Sequence, residues 1–162
     1  MAEAVIPIQP TVSWEPNAPN AVLLSDDFAR TVLALNPHPD DTDTRSVVLI
    51  WEGVRYASMG SPNDEARSGH RLYEKGLREL SGIGLVEDSE LIASLELANR
   101  VHPFHEPEWY LTMAHHILAL KETTVEVVAA SVSVVRVTGS TVHAVTAAAE
   151  PDTVEPPRGI DD

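Results

Sequence analysis

The sequence contains no cysteine. A disulfide scaffold, a thiolate metal site and a cysteine nucleophile are therefore excluded, and any metal must be held by His, Asp and Glu. Aromatic residues are scarce, at 5%, so the core must rest on Val, Leu, Ile and Ala. Basic residues are also few. Lys and Arg number 11 against 25 Asp and Glu, a formal charge of −14. Such a surface repels phosphate backbones, and no basic stripe interleaves with aromatics, so nucleic acid is not an expected partner. No run reaches the roughly 18 apolar residues of a membrane span. The opening MAEAVIPIQP lacks the basic and apolar regions of a secretory leader. The expectation is a soluble, cytoplasmic protein with no membrane partner. Also missing are G-x-S-x-G, a P-loop and a dinucleotide fingerprint, so no nucleotide cofactor is expected.

The 162 residues, 43% of them hydrophobic, suffice for one domain with a substantial core. Residues 1–10 read as a flexible arm. Residues 150–162, EPDTVEPPRGIDD, read as a disordered tail, being rich in proline and acid. The tail carries five acids and one base, a net −4, which leaves −10 on residues 1–149. The globular body is expected at 11–149.

Within that body the first half reads as strands: TVSWE (Thr11–Glu15), FARTVLALN (Phe28–Asn36) and RSVVLIWEG (Arg45–Gly53). The last is a continuous apolar run with β-branched residues, the pattern of a well-buried strand. VRYASMG continues it after a bulge or tight turn at Gly53. The middle reads as helical. HRLYEKGLREL has near-helical spacing weakened by Gly76. EDSELIASLELANR can be capped by Asp88 or Ser89 and aligns Leu91, Ile92, Leu95 and Ala98. EPEWYLTM starts a short helix at Pro107. Strands return in AHHILALK, TVEVVAASVSVVRV and TVHAVTA. The order of strands, helices and strands predicts an α+β domain: an antiparallel sheet, as a sandwich or half-open barrel, with one or two helices inserted between the strand groups.

Three segments carry candidate chemistry. SPNDEARSGH (Ser61–His70) follows strand-like residues, where loops often bear sites. Glu65 and His70 are candidate catalytic acid–base groups, and Asn63, Asp64 and Arg67 candidate binding groups. The plain alternative is a capped turn with exposed charges. VHPFHEPEW places His102 and His105 in an H-x-x-H arrangement, a candidate for a divalent metal. Pro103 and Pro107 argue for a turn there, in which one imidazole hydrogen-bonds backbone. Finally, strand alternation puts Glu126 in one row with Val128, Ala130, Val132 and Val134. A carboxylate in an apolar row either finds a partner, making Glu126 a third catalytic candidate, or lies near the strand end and reaches solvent. His115 and His116 point to opposite faces, so one at most can join it.

PNDEARSGHRLYEKGL, NRVHPFH and HHILALKETTVEVVA, in that order, resemble a family of small bacterial proteins to which no activity is attached. The resemblance spans Val47 to Ala130. Its last block more often has an aromatic where Val125 stands, a departure that touches local packing alone. The resemblance implies that the three candidate segments form one module, and it carries over no catalytic role.

Two functions are compatible with these residues. One is a small enzyme or small-molecule-binding protein of specialised metabolism. Its His/Glu acid–base pocket would take a polar or cationic molecule. The other is a non-catalytic acidic interaction protein, such as an immunity protein, inhibitor or assembly factor, steered to a basic protein partner.

Overall fold

Residues 2–9 and 12–150 are described by a computed structural model of the chain. RSVVLIWEG forms β4 (Ser46–Glu52), and its length of apolar sequence has a direct cause: both of its faces are covered. β4 lies in a four-stranded antiparallel sheet of order β2–β3–β4–β9, with β2 at Val22–Ser25, β3 at Arg30–Leu35 and β9 at Ser131–Val137. One face of this sheet presents Leu33, Leu35, Val47, Leu49 and Trp51 to a second antiparallel sheet. That sheet has five strands in the order β1–β6–β7–β8–β5. These are β1 (Ala4–Pro7), β5 (Tyr56–Gly60), β6 (Ile83–Glu87), β7 (Ala114–Ala119) and β8 (Thr124–Ala129). Its inner face contributes Ile83, Leu118, Val125, Val127 and Ala129. The expected α+β antiparallel architecture is present as two facing sheets. The inserted helices are α1 (Glu90–Asn99) and α2 (Pro107–Leu111), between β6 and β7.

Several expectations are corrected. TVHAVTA forms a helix, α3 (Thr141–Ala149), where a strand was expected. Its short window fits alternation, but Thr141, Ala144, Val145 and Ala148 recur at i, i+3, i+4 and i+7 and are its buried residues. Ser140 caps α3 by accepting the His143 N–H at 3.2 Å. Ala144, Val145 and Ala148 cover Val32, Ala34, Val48 and Ile50 on the outer face of the four-stranded sheet.

TVEVVAASVSVVRV, expected as one strand, is two. At Ala130 the chain leaves one sheet for the other, and the Ala130 N–H donates to Glu52 O at 3.0 Å. Gly53 (φ +66°) makes the adjoining corner, and a Cβ there would sit 2.8 Å from the Ala130 Cβ, so glycine is required. The change of sheet splits the row expected for Glu126. Val132 packs in the core between the sheets, whereas Glu126 lies on the opposite, outer face of the five-stranded sheet beside His115 and Ile117.

HRLYEKGLREL is not an α-helix but part of a run of three single 3₁₀ turns at Arg67–Gly69, Tyr73–Lys75 and Leu77–Glu79. Gly76 (φ +115°) breaks the pattern, and a Cβ there would lie 2.4 Å from Val5 O. The turns press Leu72 and Leu77 onto Val5, Val86 and Ile117. The expected arm is therefore tied down over its described residues. β1 is a sheet edge, and buried Glu3 accepts from Lys75 Nζ (2.8 Å) and Glu90 N (2.9 Å). No strand forms over residues 12–15 of the expected Thr11–Glu15 strand, although Trp14 is buried in the inter-sheet core. β6 was not anticipated. The expected disordered tail lies outside the described residues beyond Glu150. Among the described residues no helix is long and apolar enough to cross a membrane.

Candidate functional site

Glu126 sits mid-strand on β8, on the face that the 3₁₀ turns cover, so it is shielded from water without being near a strand end. Its carboxylate is fully partnered. Arg71 donates to both oxygens (Nη1–Oε1 2.8 Å, Nη2–Oε2 2.6 Å), His70 Nε2 lies 3.1 Å from Oε1, and His115 Nε2 lies 2.8 Å from Oε2. Burial alone pushes the carboxyl's pKa up, but the hydrogen bonds and charge of Arg71 and the bond from His115 outweigh it, holding Glu126 well below the usual carboxylate range. Glu126 is thus a fixed anion that orients two imidazoles. It is poorly suited to exchange protons itself.

The tautomers follow from the other ring nitrogens. His70 Nδ1 accepts the Leu72 N–H at 3.1 Å, so its Nε2 carries the proton that goes to Glu126. His115 is fully buried, and its Nδ1 lies 2.8 Å from Ser89 Oγ. Ser89 caps α1 by accepting the Ile92 N–H at 3.1 Å. Its own hydroxyl proton is then donated to His115 Nδ1, and His115 Nε2–H is donated to Glu126. A continuous chain of hydrogen bonds results: Ser89, His115, Glu126, Arg71. His116 faces the other way. It accepts the Trp51 Nε1–H at 3.1 Å, and burial, with a smaller contribution from His115, lowers its pKa to about 4.

The two ends of the chain open on different hollows. Glu126, His70 and Arg71 line a small polar pocket of about 420 Å³ with Tyr56, Ser58 and Thr124. Ser89 lines a cleft of about 1060 Å³ enclosed by β6, α1, α2 and the start of β7. The cleft is mainly apolar, through Leu85, Ile92, Ala93, Tyr110, Leu111 and Met113. At one side Glu96 accepts from Arg100 (Nη2 2.9 Å) and from His105 Nε2 (2.8 Å), while Asn99 Nδ2 donates to His105 Nδ1 (3.0 Å). Arg100 first, and then His105, lowers the Glu96 pKa.

Of the expected catalytic set, the structure brings together His70 and Glu126 and leaves Glu65 out. Glu65 is exposed and lines neither hollow. The binding candidates are turn-builders facing another side. Asn63 Oδ1 accepts the Ala66 N–H (3.1 Å), Asp64 pairs with Lys121 Nζ (2.7 Å), and Arg67 lies with Asp64 along a separate groove beside Trp14. The Lys121 hydrogen bond lowers the Asp64 pKa. The metal pair does not form. His102 is exposed with Nδ1 accepting the Phe104 N–H (3.0 Å), whereas His105 is engaged by Asn99 and Glu96. Among the described residues no three His, Asp or Glu side chains gather as a metal-binding set. Sequence reasoning missed Arg71 and Ser89 as members of the site. Ser89 was legible as one of two candidate helix caps, with Asp88, but its partner lies 26 residues on, where no local pattern reports it.

No family model, curated protein or solved structure matches the chain.

Proposed function

We propose that the protein binds a small molecule with an apolar body in the cleft between α1, α2 and the β6–β7 edge, as a small enzyme or binding protein. The single observation that carries this reading is the contact between that cleft and the buried relay at Ser89. A concave, mostly apolar hollow with a few convergent polar groups is the usual form of a small-molecule site, and its volume is of the usual order. The polar or cationic ligand expected from the sequence is less well served. The Glu126 charge is already matched by Arg71 and two imidazoles. The occupant favoured here is apolar, with one polar end directed at Ser89 or at Glu96 and His105.

Nile red, uncharged and fluorescent in apolar surroundings, tests this reading. Saturable fluorescence should be lost in Ala93→Trp, which fills the cleft, and kept in Phe104→Ser, outside it. Retention in Ala93→Trp with loss in Phe104→Ser contradicts the reading.

A second reading, an interaction protein, draws on a separate observation. Val101 and Phe104 are 91% and 82% exposed in the α1–α2 connection, two large apolar side chains set in water close together in one loop. The Phe104→Ser result above separates the two.

A further inference from the structure

We propose that Ser89 is a nucleophile for acyl transfer, and that the protein hydrolyses an ester whose apolar part lies in the cleft; this rests on the cleft being the binding site. A serine hydroxyl is a weak nucleophile unless a neighbouring base takes its proton, and that base needs a third group to hold it in place. Ser89 Oγ is 2.8 Å from His115 Nδ1, and His115 Nε2 is 2.8 Å from Glu126 Oε2. Glu126 is in turn fixed by Arg71 and His70. The nucleophile–base and base–orienter distances both fall within hydrogen-bond reach, the relationship that defines a serine triad irrespective of fold or chain order. The ring is used with Nδ1 toward the hydroxyl and Nε2 toward the carboxylate, the reverse of the common arrangement. The chemistry is the same, because the proton gained at one nitrogen leaves the N–H of the other in place.

A helix cap needs none of this. Capping is complete once Ser89 Oγ accepts the Ile92 N–H, and the buried hydroxyl then needs only some acceptor for its proton, which a backbone carbonyl would supply without a carboxylate behind it. Instead a fully buried imidazole is aligned by a buried carboxylate onto a serine hydroxyl in the cleft wall. Ser89 also follows Asp88, whose φ of +48° turns the chain sharply from β6 into α1 and puts Ser89 at the strand–helix junction.

Ser89 Oγ attacks the ester carbonyl carbon as its proton passes to His115 Nδ1. The resulting oxyanion forms beside the first turn of α1, where N–H groups lack intrahelical partners. Glu90 N–H is taken by Glu3, so Leu91 N–H is the donor this scheme requires. The carbon–oxygen bond to the alcohol breaks, and the leaving oxygen takes the proton from His115 Nδ1. Water then attacks the acyl-Ser89 carbonyl, giving its proton to His115 and releasing a carboxylic acid. The proton returns to Ser89 Oγ.

The test is reaction of the full chain with an alkyl fluorophosphonate, followed by intact-mass and peptide mapping. The expected result is one adduct per chain, on Ser89. Ser89→Asn supplies the control. Its amide can accept the Ile92 N–H and donate to His115, so the fold is kept while the nucleophile is removed, and labelling should vanish with the melting temperature little changed. An unlabelled Ser89 in the folded wild type, or an adduct that persists in Ser89→Asn, overturns the proposal. If Nile red still binds the cleft while Ser89 stays unlabelled, the nucleophile fails and the binding site stands. If neither occurs, both fail.

Discussion

His115 Nε2 lies 2.8 Å from Glu126 Oε2, although the two residues sit on neighbouring strands and neither is in sequence reach of the turns that bury them. The pair joins a carboxylate whose other contacts are Arg71 and His70 to a serine at the β6–α1 junction. Its properties lead to the following expectations.

Glu126→Gln keeps the shape of the side chain and removes the charge. Arg71 then loses its counter-ion, and Gln cannot accept from three donor groups at once. Breaking a buried pair costs about 3–5 kcal/mol, but the Arg71 side chain is 43% exposed and can recover solvation. The expected loss is therefore smaller, about 2–3 kcal/mol, measured by urea denaturation. A loss below about 0.5 kcal/mol would show that the network does not hold the turns onto the sheet.

Acid should destabilise the protein in two stages. His116 has a folded-state pKa lowered to about 4, so the fold favours the neutral ring. Its contribution is present above the unfolded value near 6.5 and is lost as pH falls from there toward 4, by about 3 kcal/mol. Glu126 is also lowered, so its contribution is present above about pH 4.5 and is lost below it. His116→Gln retains an acceptor for Trp51 Nε1 and should remove the first stage while leaving the second. Identical slopes for wild type and variant between pH 6.5 and 4.5 would contradict this assignment.

Deletion of residues 2–7 removes β1, the buried Val5 and the Glu3 bonds to Lys75 and Glu90. The expected cost is about 3–5 kcal/mol, from one buried aliphatic side chain and a largely buried carboxylate with two bonds. An unchanged denaturation midpoint would restore the reading of this segment as a loose arm.

The two histidines of H-x-x-H should behave differently. His102→Ala should change stability by less than about 0.5 kcal/mol, because the side chain is exposed. His105→Ala unpairs Asn99 and one bond to Glu96, costing about 1–2 kcal/mol. Zinc should leave the melting temperature of the wild type unchanged, since among the described residues no third ligand gathers with the two rings. A zinc-dependent rise lost in both variants would reinstate the metal site.

The contrast between what was and was not legible has a physical basis. β4 and the start of α1 were readable because their signals are local: an apolar run for a well-buried strand, and Asp88 or Ser89 before Glu90. Glu126 stood out because a charge in an apolar strand needs a partner. The alternation that exposed it was nonetheless extended too far, since nothing in AAS marks a change of sheet. The tight approach of Gly53 to Ala130 that enforces it joins two corners far apart in sequence. Arg71 and Ser89 were missed for the same reason. Each is ordinary in its own segment and acquires a role only when the 3₁₀ turns and the β6–α1 junction both meet the outer face of the β7–β8 pair. TVHAVTA fits both periods over seven residues, and the apolar face already waiting on β3 and β4 decides for the helix.

The most direct measurement is a ¹H–¹⁵N correlation titration of the chain with 1-decanol, an uncharged molecule with an apolar body and one polar end. The account predicts saturable shifts concentrated on Ser89, Ile92, Ala93, Tyr110, Met113 and Ala114, the walls of the cleft. Silence in these residues while Val101, Phe104 and Trp109 move would contradict it, and would place the protein's business on its exposed apolar tip instead.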